Sequence, residues 1–149
     1  MTVETPSAYN LKLSSEMCPQ SPDDKKAAAK LPYQALVGSL IYATKTRFDV
    51  AYDVSNVARF MSNWGAEHLR AAMRVLKYLY STREKSLMIR PPTGDKKTID
   101  SLRLSVYCDA NYGDDRDSGE EKDDKWKSQG GFLVLLDNSL ISWRSRRHK

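Results

Sequence analysis

Leu102 to Gly113 reads LRLSVYCDANYG. Leu102, Leu104, Val106 and Cys108 alternate with Arg103, Ser105, Tyr107 and Asp109, a period of two that predicts a β-strand with one apolar face. Asp109 is the one acid in this run and stands where the strand meets turn-forming residues. A polar residue takes that place for structural reasons alone, and a strand end is also where a carboxylate is delivered to a metal. Working outward, the acidic stretch 113–125 (Asp114, Asp115, Asp117, Glu120, Glu121, Asp123, Asp124) reads as a long solvated loop. Its spacing is not that of a calcium loop. Gly131 to Leu136 (GFLVLL) is a nearly continuous apolar run, as in a strand covered on both faces. Asp137, Asn138 and Ser139 supply a turn, and Leu140 to Trp143 returns as a third strand. The three strands form an antiparallel meander.

Upstream, Pro91, Pro92, Gly94 and Asp95 mark a linker, and 86–90 (SLMIR) reads as a short strand. Residues 32–83 read as helical. Leu36, Val37, Leu40 and Ile41 share a face of one helix. Thr46 and Asp49 resemble a capping box ahead of the stripe Val50, Val54, Val57 and Met61. Asn63, Trp64 and Gly65 interrupt, and Leu69, Met73, Leu76 and Tyr80 make a third stripe. Residues 1–31, broken by Pro6, Pro19 and Pro22, form an irregular lead-in in which only DDKKAAAK (23–30) makes a turn or two of helix. The expected fold is α+β, a small helical bundle followed by the meander. The expected divisions are a lead-in (1–31), helices (32–90), a linker (91–101) and the sheet (102–149).

The 149 residues suit one domain or two small ones, and 29% charged with 40% hydrophobic residues suits a folded domain. No run is long and apolar enough for a membrane span, and Met1–Glu4 does not begin a signal peptide. Cys18 and Cys108 lie far apart without a CxxC or His cluster, which argues against a zinc site or disulfide framework and for an intracellular, reducing setting, cytoplasmic or nuclear. The net charge of +5 sits in residues 31–101, with 11 basic and 6 acidic side chains; residues 1–30 and 102–149 are each balanced. A basic middle segment favours a phosphate-bearing partner. The candidate phosphate contacts are Lys45, Arg47, Arg70, Arg74 and Lys77, the last three sharing one helix face at i, i+4 and i+7. The plain alternative is a solubilising face. His68 reads as a first-turn helix residue. Tyr42, Tyr52, Tyr78, Tyr80 and Trp64 read as core or core-edge rather than base-stacking groups. Arg144, Arg146, Arg147 and Lys149 read as a basic strand continuation or tail.

Four blocks then occur in a telling order: YQALVGSLIYATKTRFDVAYDVSNVARFMSN from Tyr33, HLRAAMRVLKYLYSTREKSLMI from His68, YCDANYGDD from Tyr107, and KSQGGFLVLLDNSLISWRSRRHK from Lys127. Together they resemble the pol polyprotein of copia-type (Ty/copia) retrotransposons, from the end of the reverse transcriptase into the start of its ribonuclease H domain. Phe48 stands where that family usually has proline, Asn111-Tyr112 where Asp-Trp is common, and RDSGEEKDDKW is longer and more acidic than the family pattern. The resemblance implies thumb- or connection-like helices lying along a template–primer duplex, and an incomplete ribonuclease H-like meander with Asp109 as the first catalytic carboxylate and a vestigial metal ligand. That chemistry uses two Mg²⁺ ions roughly 4 Å apart, held by several carboxylates. The resemblance puts the remaining carboxylates beyond Lys149 and the polymerase aspartates before Met1. The expectation is therefore a fragment inactive by itself, with no cofactor of its own and Mg²⁺ belonging to the parent family. Its expected partners are RNA–DNA hybrid or other nucleic acid, bound weakly and without sequence preference, or a full-length relative, and no membrane. A non-catalytic binding or interfering module is the alternative. A nuclease completed by another chain is a third.

Overall fold

The computed structural model describes residues 3–91, 102–115 and 127–147. Within them lie four α-helices, α1 (Pro22–Ala29), α2 (Tyr33–Ala43), α3 (Ala51–Ala58) and α4 (Ala66–Ser81), and three strands, β1 (Leu104–Asp115), β2 (Lys127–Leu136) and β3 (Ser139–Arg147). The strands form one antiparallel sheet in the order β1-β2-β3. The expected α+β class is what is found. The linker expected at 91–101 falls, after Pro91, outside the described residues, as do 116–125 of the acidic stretch.

The helical core is built from Tyr33, Val37 and Leu40 of α2, Val50 before α3, Val54 and Val57 within it, Phe60 and Trp64 after it, and Ala72, Val75 and Tyr78 of α4. Tyr33 stacks on Trp64 at 4.7 Å and donates from its hydroxyl to the Val57 carbonyl at 2.7 Å, so the buried phenol is satisfied. Burial, and secondarily the nearby Cys18 thiol, push that phenol well above its ordinary pKa. The Val50/Val54/Val57 stripe is buried as its spacing predicts. Within the first stripe, Val37 and Leu40 are buried while Ile41 is exposed.

The third stripe is displaced. α4 buries His68, Ala72, Val75 and Tyr78, whereas Met73, Leu76 and Tyr80 are 39%, 41% and 71% exposed. The rotation is set at the helix start. His68 Nδ1 accepts the Gly65 N–H at 3.0 Å and its ring stacks on Phe60 at 4.0 Å, fixing which side of the helix faces inward. Ala72 then lets the α4 backbone approach closely. The capping box expected at Thr46 and Asp49 does not form. Thr46 donates to the Ala43 carbonyl, and Asp49 is taken by Arg47 and Tyr78.

The lead-in has the predicted helix, α1, capped by the Ser21 hydroxyl accepting from Asp24 N–H with Pro22 in the first turn. Residues 3–13 have no helix or strand, yet Val3 and Leu13 pack on the core and Val3 N–H donates to Ser81 Oγ. Residues 86–90 form neither helix nor strand, so the short strand predicted there is not present. Arg90 instead holds the Ser139 hydroxyl from both of its backbone groups, at 2.9 and 3.0 Å.

The strands are longer than their sequence patterns suggest. β1 continues through Asp115, so the start of the predicted acidic loop is strand, with a register irregularity between Asn111 and Asp115. β3 runs on to Arg147. Backbone pairing, which needs no side-chain periodicity, carries these extensions. Asp137 (φ 46°) and Asn138 (φ 69°) both take the left-handed conformation that a two-residue hairpin turn demands. The 131–136 run is half-buried rather than covered on both faces. One face of the sheet turns to the helices. There Trp143 Nε1 donates to the Thr44 carbonyl at 2.8 Å and its ring meets Phe48 at 6.2 Å. The other face leaves Leu104 and Val106 62% and 56% exposed.

Candidate functional site

Asp109 pairs across β1–β2 with Gly131, and Gly131 pairs across β2–β3 with Ser145. By strand alternation this row shares its face with Asn111, Gln129 and Trp143, the face turned to the helices. Asp109 itself is exposed, and its in-row neighbours, a glycine and a serine, leave space beside the carboxylate. A side chain at Gly131 would bring its Cβ to 3.2 Å from the Arg144 carbonyl oxygen, tighter than most such contacts. Among the described residues no three His, Cys, Asp or Glu side chains gather as a metal-holding group. The described residues around Asp109 thus offer fewer carboxylates than a pair of Mg²⁺ ions requires.

The five candidate phosphate contacts divide. Arg70 and Lys77 are exposed on α4; Arg70 forms an ion pair with Glu67 one turn earlier. Arg74, on the same side, is partly buried and donates from Nη2 to Thr5 Oγ1 at 3.1 Å. Lys45 is exposed with its ammonium 5.4 Å from the Tyr42 ring centroid. Arg47 is mostly enclosed. It binds Asp49 through Nε and Nη2 at 2.9 and 2.8 Å and donates to the Thr82 carbonyl and hydroxyl at 3.1 and 2.7 Å. This clamp ties the segment after α2 to the end of α4. The Arg47 hydrogen bond, partly offset by burial and aided by the Tyr78 hydroxyl, holds the Asp49 carboxyl below its ordinary value. Arg47 is raised by the same hydrogen bond.

Of the five aromatic residues expected in or near the core, Trp64 and Tyr78 are buried while Tyr42, Tyr52 and Tyr80 are exposed. His68 sits in the first turn as expected, buried and spent on capping. Arg144, Arg146 and Arg147 belong to β3; Lys149 lies outside the described residues. Among the described residues no helix is long and apolar enough to cross a membrane.

Sequence reasoning passed over Asp53, one of three buried polar or charged side chains among the described residues. Burial raises its pKa, with a Ser7 hydrogen bond opposing the rise. Its position three residues after Val50 and one before Val54, on the edge of the inward stripe, was the available signal.

No protein-family model matches the chain. No solved structure matches it. Curated relatives do. The Retrovirus-related Pol polyprotein from transposon TNT 1-94 of Nicotiana tabacum is 38% identical over 148 residues, 99% of this chain and 10% of the polyprotein. A putative transposon Ty5-1 protein of Saccharomyces cerevisiae is 38% identical over 119 residues, 79% of this chain and 34% of that protein. A Plasmopara viticola protein named Secreted RxLR effector protein 161 is 30% identical over 120 residues, 80% of this chain and 75% of its own length. The chain thus spans about a tenth of the tobacco polyprotein and a third of the yeast protein. Relatives named as Ty/copia-type Pol polyproteins or transposon proteins match most of its residues at 31–38% identity, and the chain belongs to that family as a segment of a retrotransposon Pol polyprotein.

Proposed function

We propose that this segment is the reverse transcriptase–ribonuclease H junction of a copia-type Pol polyprotein, with α2–α4 as thumb- or connection-like helices and β1–β3 as the first strands of a ribonuclease H-like sheet. The observation that carries the reading is Asp109, which lies in the matched YCDANYG motif and within β1, exposed beside the side-chain-free Gly131. In this reading Asp109 is one carboxylate of a set that the two-metal reaction requires. The 149-residue chain by itself does not cleave RNA paired with DNA. Incubation with a labelled RNA–DNA hybrid and Mg²⁺ or Mn²⁺ is expected to leave the RNA intact. Cleavage that vanishes in Asp109→Asn would overturn this.

A second reading, a non-catalytic nucleic-acid-binding or interfering module, is favoured by the outer side of α4. Exposed Arg70 and Lys77 there adjoin exposed Met73, Leu76 and Tyr80. Basic groups take phosphates while an apolar and aromatic strip takes bases, or the same strip meets a full-length relative. Either reading belongs to an intracellular protein, cytoplasmic or nuclear.

A further inference from the structure

Residues 6–13 lie across α3 and α4 and, with Asn111 and Gln129 from the sheet, close a cavity of about 90 Å³. That is roughly the liquid volume of three water molecules. Its wall sets three cationic side chains, Lys12, Arg59 and Arg74, around one carboxylate, Asp53. Asp53 is 8% exposed and accepts a hydrogen bond from the Ser7 hydroxyl. Arg74 Nε is buried with no hydrogen-bond partner among the described residues. A buried guanidinium N–H left in that state is costly unless an acceptor enters the cavity. Three cations against one carboxylate favour an anion. Asp53, an acceptor when ionised, favours an anion that still carries a proton to donate. Sulfate is fully deprotonated near neutral pH and would set bare oxygens against the carboxylate; phosphate retains a proton. The volume admits one tetrahedral oxyanion.

We propose that this cavity is a phosphate site, in which Lys12, Arg59 and Arg74 take the oxygens and Asp53 accepts from the protonated one. The site is distinct from the outer α4 surface: Lys12, Asp53 and Arg59 belong to other segments.

The test is thermal unfolding of the full 149-residue chain at pH 6.5 and constant ionic strength, with inorganic phosphate, sulfate or adenosine monophosphate. Phosphate is expected to raise the melting temperature by about 3 °C or more at saturation, and sulfate to do little. A matching shift with adenosine monophosphate assigns the site to terminal monoesters; its absence assigns it to free phosphate. Lys12→Gln, a surface change, is expected to weaken the phosphate shift at least severalfold in concentration. Asp53→Asn is expected to remove the preference over sulfate. Equal shifts with phosphate and sulfate in the unaltered chain, or a shift undiminished in Lys12→Gln, would overturn the proposal. Binding of unphosphorylated RNA–DNA hybrid, measured separately, reports on the α4 surface and stands or falls independently.

Discussion

Gly65 is a residue whose side chain must be absent. A Cβ there would lie 2.1 Å from the Met17 carbonyl oxygen, a backbone atom that cannot swing aside. The same segment is held by the Cys18 thiol donating to the Asn63 carbonyl at 2.9 Å. Gly65→Ala is therefore expected to cost about 1–3 kcal/mol through overpacking, read as a lowered urea midpoint; an unchanged midpoint would show that the 17–18 segment is not held there. Asp49 makes a pH-dependent contribution. Its folded value lies below the ordinary 3.8, so its stabilisation is present above that value and disappears as pH falls through the depressed one. Asp49→Asn should cost about 1–3 kcal/mol at pH 7, because Arg47 loses a charged partner, and progressively less toward pH 3. Equal costs at pH 7 and pH 3 would remove the ionic account. Asp49 also shows how a local pattern misleads. Thr46 and Asp49 have capping-box spacing, but a bidentate arginine two residues away outbids a backbone N–H for the carboxylate.

Among the elements, α4 was legible as a helix and illegible in rotation. Its apolar residues are broad enough to support two stripes, one through Leu69, Met73, Leu76 and Tyr80 and one through Ala72, Val75 and Tyr78. What chooses between them is a polar residue, His68, whose capping and stacking roles depend on Gly65 and Phe60 rather than on hydrophobic period. The strands were legible where side chains alternate, at Leu102–Asp109, and at the turn, where Asp137 and Asn138 suit left-handed backbone. Their far ends were not, because pairing such as Asp115 with Lys127 leaves no periodic signature. The rotation of α4 has a consequence for binding. Arg70 and Lys77 adjoin an exposed apolar strip, so any duplex contact there is electrostatic at two positions. Changing both to Gln should flatten the log–log salt dependence of hybrid binding by about 2. An unaltered slope would exclude this side of α4 from the contact.

At the scale of the whole molecule, the candidate site was partly legible. Asp109 and the order of the four blocks stood in the sequence, but the burial of Asp53 did not, because it depends on the lead-in reaching α3 in the fold, where Ser7 bonds the carboxylate. The helices and sheet meet through Trp143, whose indole N–H reaches Thr44 and whose ring reaches Phe48. Trp143→Ala removes a hydrogen bond and much of that contact and should cost about 2 kcal/mol. Hydrogen exchange provides the finer test. Amides of 131–136 are expected to exchange faster than those of 69–79, since β2 lies beneath an uncovered face while α4 carries the core, and in Trp143→Ala the gap should widen. Protection in 131–136 matching that of 69–79 would mean that the sheet is as firmly held as the bundle. Arg90 and Arg103 bound the connector that joins the helices to the sheet in the chain. Arg90 is fastened to Ser139, while the Arg103 carbonyl accepts from Asp137 N–H and its own N–H donates to Asp137 Oδ1. Both ends of that connector are thus moored to one hairpin tip, and its length is uncoupled from the placement of the two halves it joins. Doubling the length of a flexible connection costs only about 0.6 kcal/mol in closure entropy, so a guest domain or reporter inserted between Arg90 and Arg103 is expected to leave both of them fastened to the hairpin.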